Sequence, residues 1–354
     1  MRLAIICSHP IQYYAPVFAL LAKQFETKVF YTSKERNAYD TAFGREIRWD
    51  IPLLDGYQYE FTSSIKKIKA FNPDFLLLYG WSYLFHLRVL RFFYKDSSIL
   101  FRGDSTLIEP RSKLRKLLRK QVLNWVYSHV DMAFYVGSAN KAYFIRYWLT
   151  EKQLRFAPHA VDNLRFREPS ESPCLRKKLG IAMSDTVVLY AGKFTRTKNV
   201  QLLIRAFTEL NLTDAHLILA GSGKLQSDYI RLTESRQNIH FAGFLNQSEM
   251  PGAYQACDLF CLPSLSESWG LAINEAMAAG RAILASDTVG ACSDLVSRKN
   301  GNIFRSNDLS DLKHKLHRLL SCRKTLEEMG RHSELVISNW TFETQVKNIT
   351  NVLQ

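Results

Sequence analysis

Short apolar runs rich in β-branched and aromatic residues recur along the chain, each followed by a stretch with helical spacing. The first run is "RLAIICS", followed by a helical period over "APVFALLAKQF" and a second run, "TKVFYTS". "DFLLLYG", "SILFRGD", "MAFYVG" and "LRFAPHAV" come next, separated by helical stretches near 82–95, 111–128 and 138–148. A run that is apolar at successive positions suits a strand buried on both faces. Its alternation with helices predicts a parallel sheet covered on both sides. A second series opens at "TVVLYAG" and proceeds through "AHLILAG", "IHFAG", "LFCLPS" and "AILAS". Helices are expected there at 198–210, 223–235, 247–256, 268–279, 309–320 and 323–338, then a tail helix in "TFETQVKNITNVLQ".

Between the two series, "REPSESPC" at 167–174 is polar, carries two prolines and reads as a linker. The expected architecture is α/β, two Rossmann-like doubly wound domains facing across a cleft. Residues 1–166 would form the first domain and 167–338 the second domain. Residues 339–354 would be a helix packing back toward the first. Ligands of such sheets bind outside the carboxyl ends of the strands, so the cleft is the expected site.

A chain of 354 residues suits two cores of this size. No apolar run reaches the roughly 18 residues of a membrane span, and the opening "MRLAIICSHP" reads as a first strand, not a signal peptide. Six cysteines without Cys-x-x-Cys spacing are expected to be buried reduced thiols of a cytoplasmic protein. The net charge of +14 is uneven: residues 1–170 hold 26 Lys and Arg against 15 Asp and Glu, the remainder 21 against 18. That excess points to an anionic partner or surface on the N-terminal side. "RSKLRKLLRKQVLNWV" at 111–126 is a basic helix with an apolar stripe, and "SIKKIKAF" at 64–71 adds to it. Such a helix can lie on an anionic membrane, or cover a core with its charges in water. A nucleic-acid-binding protein is disfavoured, because no known module is present and the basic run lacks interleaved aromatics. A nicotinamide-dependent oxidoreductase is disfavoured too, since the first turn, "CSHPIQYYAP", has no Gly-x-Gly-x-x-Gly fingerprint.

The candidate chemistry is densest in "SLSESWGLAINEAMAAGRAILAS", residues 264–286. Ser266 or Ser268 can cap a helix built on Leu271, Ile273, Ala276 and Met277 and ended by Gly280. Glu267 lies in the loop ahead of it and Glu275 about two turns inside. On one continuous helix the two would be about 12 Å apart, far from the roughly 5 Å of a retaining glycosidase pair. Between them, the N–H groups of Ser268, Trp269, Gly270 and Leu271 form a helix start that attracts anions, and Gly270 allows close approach. A ligand matching this layout has a polyol at one end, phosphate in the middle and a second polyol beyond, as a nucleotide sugar does. Ordinary solvated charges at both glutamates remain the alternative. Lys193 and Lys198, on the loop after "TVVLYAG", suit a diphosphate or are plain surface lysines. Gly221, Ser222 and Gly223 end the next strand, where small residues admit a ligand, although the spacing is not that of a Walker loop.

The run from "AGKFTRTKN" through "LAGSGKL" and "IHFAGFLNQSEMPGAYQACDLFCLPSLSESWGLAINEAMAAGRAILASDTVG" to "NGNIF" resembles the retaining glycosyltransferases of family 4, with the GT-B fold. "SHPIQYYAPVF", "RWDIPLLDGY" and "FAPHAVDN" resemble a bacterial subgroup of the same enzymes. The resemblance implies transfer of a sugar from a nucleotide-diphosphate sugar to a glycan or lipid-linked acceptor, in surface polysaccharide or glycolipid synthesis. It assigns Glu267 to the donor sugar, Glu275 to the ribose, Lys193 and Lys198 to the diphosphate, and the backbone around Phe244 to the base. Lys193 departs from the more usual arginine. Many members also carry a histidine in the segment matching "ILFRGDST", where this chain has Arg102 and Asp104. Asp104 and His9 are therefore the catalytic-side candidates of the N-terminal domain, with helix capping and a structural histidine as their alternatives. No Asp-x-Asp occurs, so no metal cofactor is expected, and leaving-group charge would be met by the lysines and the helix start. A sugar-nucleotide epimerase or phosphorylase of the same fold is the nearest alternative activity. A basic protein that only binds membrane or nucleic acid is the alternative of another class.

Overall fold

The computed structural model describes residues 1–33, 38–108, 113–170 and 174–354, without the side chains of 38, 39 and 113–118. The strands in chain order are β1 (Arg2–Cys7), β2 (Glu26–Tyr31), β3 (Ala38–Asp40), β4 (Arg45–Ile47) and β5 (Gln58–Phe61). They continue with β6 (Phe75–Tyr79), β7 (Ser98–Arg102), β8 (Met132–Tyr135), β9 (Leu154–Phe156) and β10 (Thr186–Ala191). The last are β11 (Ala215–Ala220), β12 (Ile239–Gly243), β13 (Leu259–Leu262), β14 (Ala282–Ser286) and β15 (Gly301–Phe304). Seven form one parallel sheet in the order β5-β2-β1-β6-β7-β8-β9, six a second in the order β12-β11-β10-β13-β14-β15, and β3 and β4 pair as an antiparallel hairpin.

The chain divides into two compact units, Met1–Arg36 with Ile51–Ala160 and Trp340–Gln354, and Asn37–Asp50 with Val161–Asn339. In the first, alternate residues of each strand go to opposite faces, as the pleat requires. Ala4, Ile6, Leu76, Leu78 and Phe101 pack with Val89, Leu123 and Val126 on one face. Leu3, Ile5, Cys7, Leu77 and Leu100 pack on the other with Val17, Phe18 and Leu21, and with Val346, Ile349 and Leu353 of the tail helix Phe342–Leu353. Each of those tail side chains is worth about 1.5–3 kcal/mol when fully buried. In the second unit every residue of β10 is buried, which is why its sequence is apolar from Val187 to Ala191.

The boundary was expected at 166/167, and the second compact unit takes in the chain from Val161. Helix Asn163–Arg167 buries Phe166 against Tyr254, and the Gln255 amide donates to the carbonyls of Phe166 and Glu168. The polar stretch after it is thus preceded by a segment already docked. Residues 37–50 were expected in the first domain and belong to the second unit. Of the six cysteines, Cys174 and Cys322 are exposed and the other four buried, so the expectation of uniformly buried thiols holds for four. Of the basic stretch 111–126, residues 111–112 and the side chains of 113–118 lie outside the described residues. From Leu123 on, the apolar stripe faces the core. No helix among the described residues is long and apolar enough to cross a membrane.

Candidate functional site

In the second unit, the carboxyl ends of parallel strands carry the candidate residues on successive loops. After β10 the chain turns at Lys193, whose carbonyl accepts from the Tyr190 hydroxyl at 2.8 Å. A one-turn 3-10 helix, Arg196–Lys198, follows, and Lys198 points its ammonium at the Glu267 carboxylate in a close ion pair. Lys193 pairs with Asp40 at 2.8 Å. Each lysine of the couple therefore faces one carboxylate.

Gly221 ends β11 with a φ of +144°, and a Cβ there would lie 1.9 Å from the Gly192 carbonyl oxygen. Its glycine is required by the protein's own packing of two strand-end loops. Ser222 Oγ donates to the Phe43 carbonyl at 3.0 Å, so Gly221, Ser222 and Gly223 form a loop already in contact with the β3–β4 hairpin. Phe244 follows β12, with Phe43 edge-on at 5.3 Å, Trp49 at 6.4 Å and the Arg45 guanidinium 4.5 Å above its ring.

The helix after β13 starts later than expected. It spans Leu271–Ala278, with Gly270 (φ 97°) at its cap and no side-chain cap bond, so neither Ser266 nor Ser268 caps it. The reason is the loop at 286–291, which pins the approach: Glu267 N–H donates to Thr288, Gly290 N–H to Glu267, and Ala291 N–H to Trp269. A Cβ on Gly270 would come within 2.9 Å of Val289, which fixes glycine at that turn. The Trp269 ring is buried and its Nε1 donates to Asn274 at 2.9 Å, so its side chain shapes the loop from inside while its backbone lies at the helix start. Ser268 and Leu271 flank it, both half-buried. Glu275 is only 4% exposed and accepts from the Tyr254 hydroxyl at 2.7 Å, so it is not a surface helix charge. Glu267 has a side chain 19% exposed, tied to Lys198.

In the first unit, Arg102 ends β7 and is 2% exposed, donating to the carbonyls of Ala157 at 2.8 Å and Pro158 at 3.1 Å. It ties the loop after β9 to β7 and so brings His159 to 3.9 Å from Asp104. His159 was not foreseen as a site residue, although "FAPHAV" was read as a strand end. It stacks with Tyr14 at 6.3 Å, and burial, then the Arg102 charge, holds its imidazole well below the usual histidine range. His159 is therefore neutral and does not form a charged pair with Asp104. Asp104 lines a cavity of about 310 Å³ with Trp81, Ser105, Arg119 and Phe144. His9 follows β1, exposed, with Nδ1 2.9 Å from Ser8 Oγ. Among the described residues no group of three His, Cys, Asp or Glu is placed to hold a metal ion.

The neutral His159 has a measurable consequence. Its folded form resists protonation while the unfolded chain takes up a proton near pH 6.5. The depressed value means its contribution is intact above about pH 6.5 and is lost as pH falls, by up to about 1.4 kcal/mol per pH unit. Urea unfolding at pH 7, 6 and 5 should show a smaller loss for His159→Gln than for wild type. Parallel losses would show that His159 titrates normally in the folded chain.

Residues 172–335 match the family model described as glycosyl transferases group 1. A Corynebacterium glutamicum GDP-mannose-dependent monoacylated α-(1-6)-phosphatidylinositol monomannoside mannosyltransferase is 27% identical over 248 residues, 66% of this chain and 65% of its own length. The Arabidopsis thaliana sulfoquinovosyl transferase SQD2 is 28% identical over 56% of this chain and 39% of its own. The chain thus spans less than two thirds of the length of these curated relatives. Among solved structures, Anabaena HepE in complex with UDP superposes with a TM-score of 0.80 at 16% identity, covering 100% of this chain and 99% of that one. Sucrose-phosphate synthase from Thermosynechococcus elongatus gives 0.75 at 18% identity, covering 100% and 98%. These likenesses establish a GT-B fold, and residues 172–335 match the glycosyl transferases group 1 model.

Proposed function

We propose that this chain is a retaining glycosyltransferase that moves a sugar from a nucleotide-diphosphate sugar to a hydroxyl of a glycan or lipid-linked acceptor. The observation that carries the reading is the gathering of Lys193, Lys198, Glu267 and the helix start at Leu271 on loops at the carboxyl edge of one parallel sheet. Breaking the bond to the leaving diphosphate concentrates negative charge there. Two ammonium groups and the helix start stabilise that charge as it forms, without an ion. Glu267, held by Lys198, contacts the donor sugar, and Glu275, oriented by Tyr254, serves the ribose. In the first unit Asp104 and His9 are the candidates to meet the acceptor. The printed activities of the relatives, a GDP-mannose-dependent enzyme among them, support this substrate class. The excess of cations in residues 1–170 suits work at the cytoplasmic face of an anionic membrane. Surface polysaccharide or glycolipid synthesis is the setting this implies.

The test is thermal stabilisation by a panel of UDP-, GDP-, ADP- and dTDP-sugars, followed by transfer assays with glycan and lipid-linked acceptors. One sugar nucleotide should raise the melting temperature and support transfer. Glu267→Ala should remove transfer while the variant still unfolds cooperatively. Full activity in Glu267→Ala, or no response to any sugar nucleotide, would refute the reading.

A further inference from the structure

The β3–β4 hairpin lies more than a hundred residues before the loops it touches, and among these are Lys193, Ser222, Gly223 and Phe244, given above to the donor. Asp40 accepts from Lys193 Nζ at 2.8 Å through one oxygen and from the N–H groups of Ala42 (2.8 Å) and Phe43 (3.0 Å) through the other. The Ala42 carbonyl sits where a Cβ on Gly223 would be, 2.8 Å away, and the Phe43 carbonyl accepts from Ser222. Arg45 lays its flat guanidinium over Phe244, which Phe43 and Trp49 also flank. Below the hairpin, Asn246 donates to the Arg48 carbonyl at 2.8 Å and the Ser248 N–H to Asp50 at 3.2 Å. Asp40 is ionised: burial alone would raise its carboxyl, but the bonds from Lys193 and the two backbone N–H groups hold it below the usual range.

Charge decides what this arrangement does. Lys193 and Lys198 already face Asp40 and Glu267, so the couple is neutralised before any diphosphate arrives. A diphosphate seated on Lys193 would meet the Asp40 carboxylate at close range, and like charges there oppose binding. A ring stacked on Phe244 would meet Arg45. The hairpin thus satisfies both ends of the pocket with its own anion and its own planar group.

We propose that Asp40 competes internally with the donor's diphosphate for Lys193, and that nucleotide binding releases this pair and moves the hairpin off Ser222, Gly223 and Phe244. The inference rests on the donor site proposed above and names the residue that sets its affinity. Calorimetric titration with UDP and with GDP tests it, on wild type, Asp40→Asn, Lys193→Met and the double variant. The nucleotide that binds wild type should bind Asp40→Asn about tenfold tighter, and the gain should shrink when Lys193 is already methionine. A second readout does not depend on the stability of Asp40→Asn. Trp49 emission, taken as wild type minus Trp49→Phe, should shift to the red at saturating nucleotide as the hairpin leaves Phe244. Equal or weaker binding by a folded Asp40→Asn, or unchanged Trp49 emission, overturns the competition. If Lys193→Met still weakens binding in that case, the donor site itself stands. Nucleotide affinity indifferent to Lys193 overturns both.

Discussion

Lys198→Ala should lower kcat/KM for sugar transfer by about 10²–10³-fold while leaving the unfolding midpoint close to wild type. Two effects act in the same direction. On the proposed function, the variant removes an ammonium from the loop where leaving-group charge would develop, and such preorganised charge is worth most where water is partly excluded. It also strips Glu267 of its partner, leaving a bare carboxylate beside the incoming diphosphate. Lys198 ends a one-turn 3-10 helix and its side chain is 24% exposed, so removing it leaves the core intact. Lys198→Arg should recover part of the loss, because it keeps the charge with a different reach. Steady-state rates beside melting curves check this. A loss below about threefold would place Lys198 outside the transition-state contacts.

The largest effect on stability is expected away from the site, at Arg176. This side chain is 5% exposed, yet it satisfies four acceptors. Its Nε donates to Ala256 at 2.7 Å, its Nη1 to the carbonyls of Asp185 at 2.8 Å and Ala182 at 3.2 Å, and its Nη2 to the Asp258 carboxylate at 2.5 Å. Asp258 in turn accepts the Val187 N–H of β10 at 2.8 Å and stands just ahead of β13. The pair therefore clamps two neighbouring central strands. Arg176→Leu leaves a buried carboxylate whose nearest remaining cation is the more distant Arg323 at 3.5 Å, and takes a donor from the carbonyls of Ala256, Asp185 and Ala182. Breaking one side of such a pair costs about 3–5 kcal/mol. Urea titration should show that loss, and Arg176→Leu with Asp258→Asn should recover part of it, since the stranded charge is gone. A cost below about 1 kcal/mol would mean that water reaches Asp258 in the variant.

The central strands were legible because burial on both faces forces an unbroken apolar run. β1, β6, β10 and β13 read directly from their residues. The edges were not. β5, "QYEF", has two exposed residues at its start, and β15, "GNIF", opens on glycine and asparagine, so neither presents a run. The hairpin strands β3 and β4 are three residues each, too short for any period to show. At the candidate site, the order of loops could be read, since each follows a strand. The pairings could not. Asp40 with Lys193 and His159 with Asp104 join residues that only the folded chain brings together. The burial of Glu275 could not be read either, because a single glutamate in a helix carries no mark of it. Tyr254, which accounts for it, is on another helix.

The tail helix has a bearing on how the protein is made. Val17, Phe18 and Leu21 leave the ribosome ahead of Val161–Asn339, whereas Val346, Ile349 and Leu353, which share their cluster, leave it only afterwards. Throughout that interval one greasy flank of the first sheet stands uncovered, open to chaperones or to self-association. Closure of the first unit is thus deferred until the second has been made.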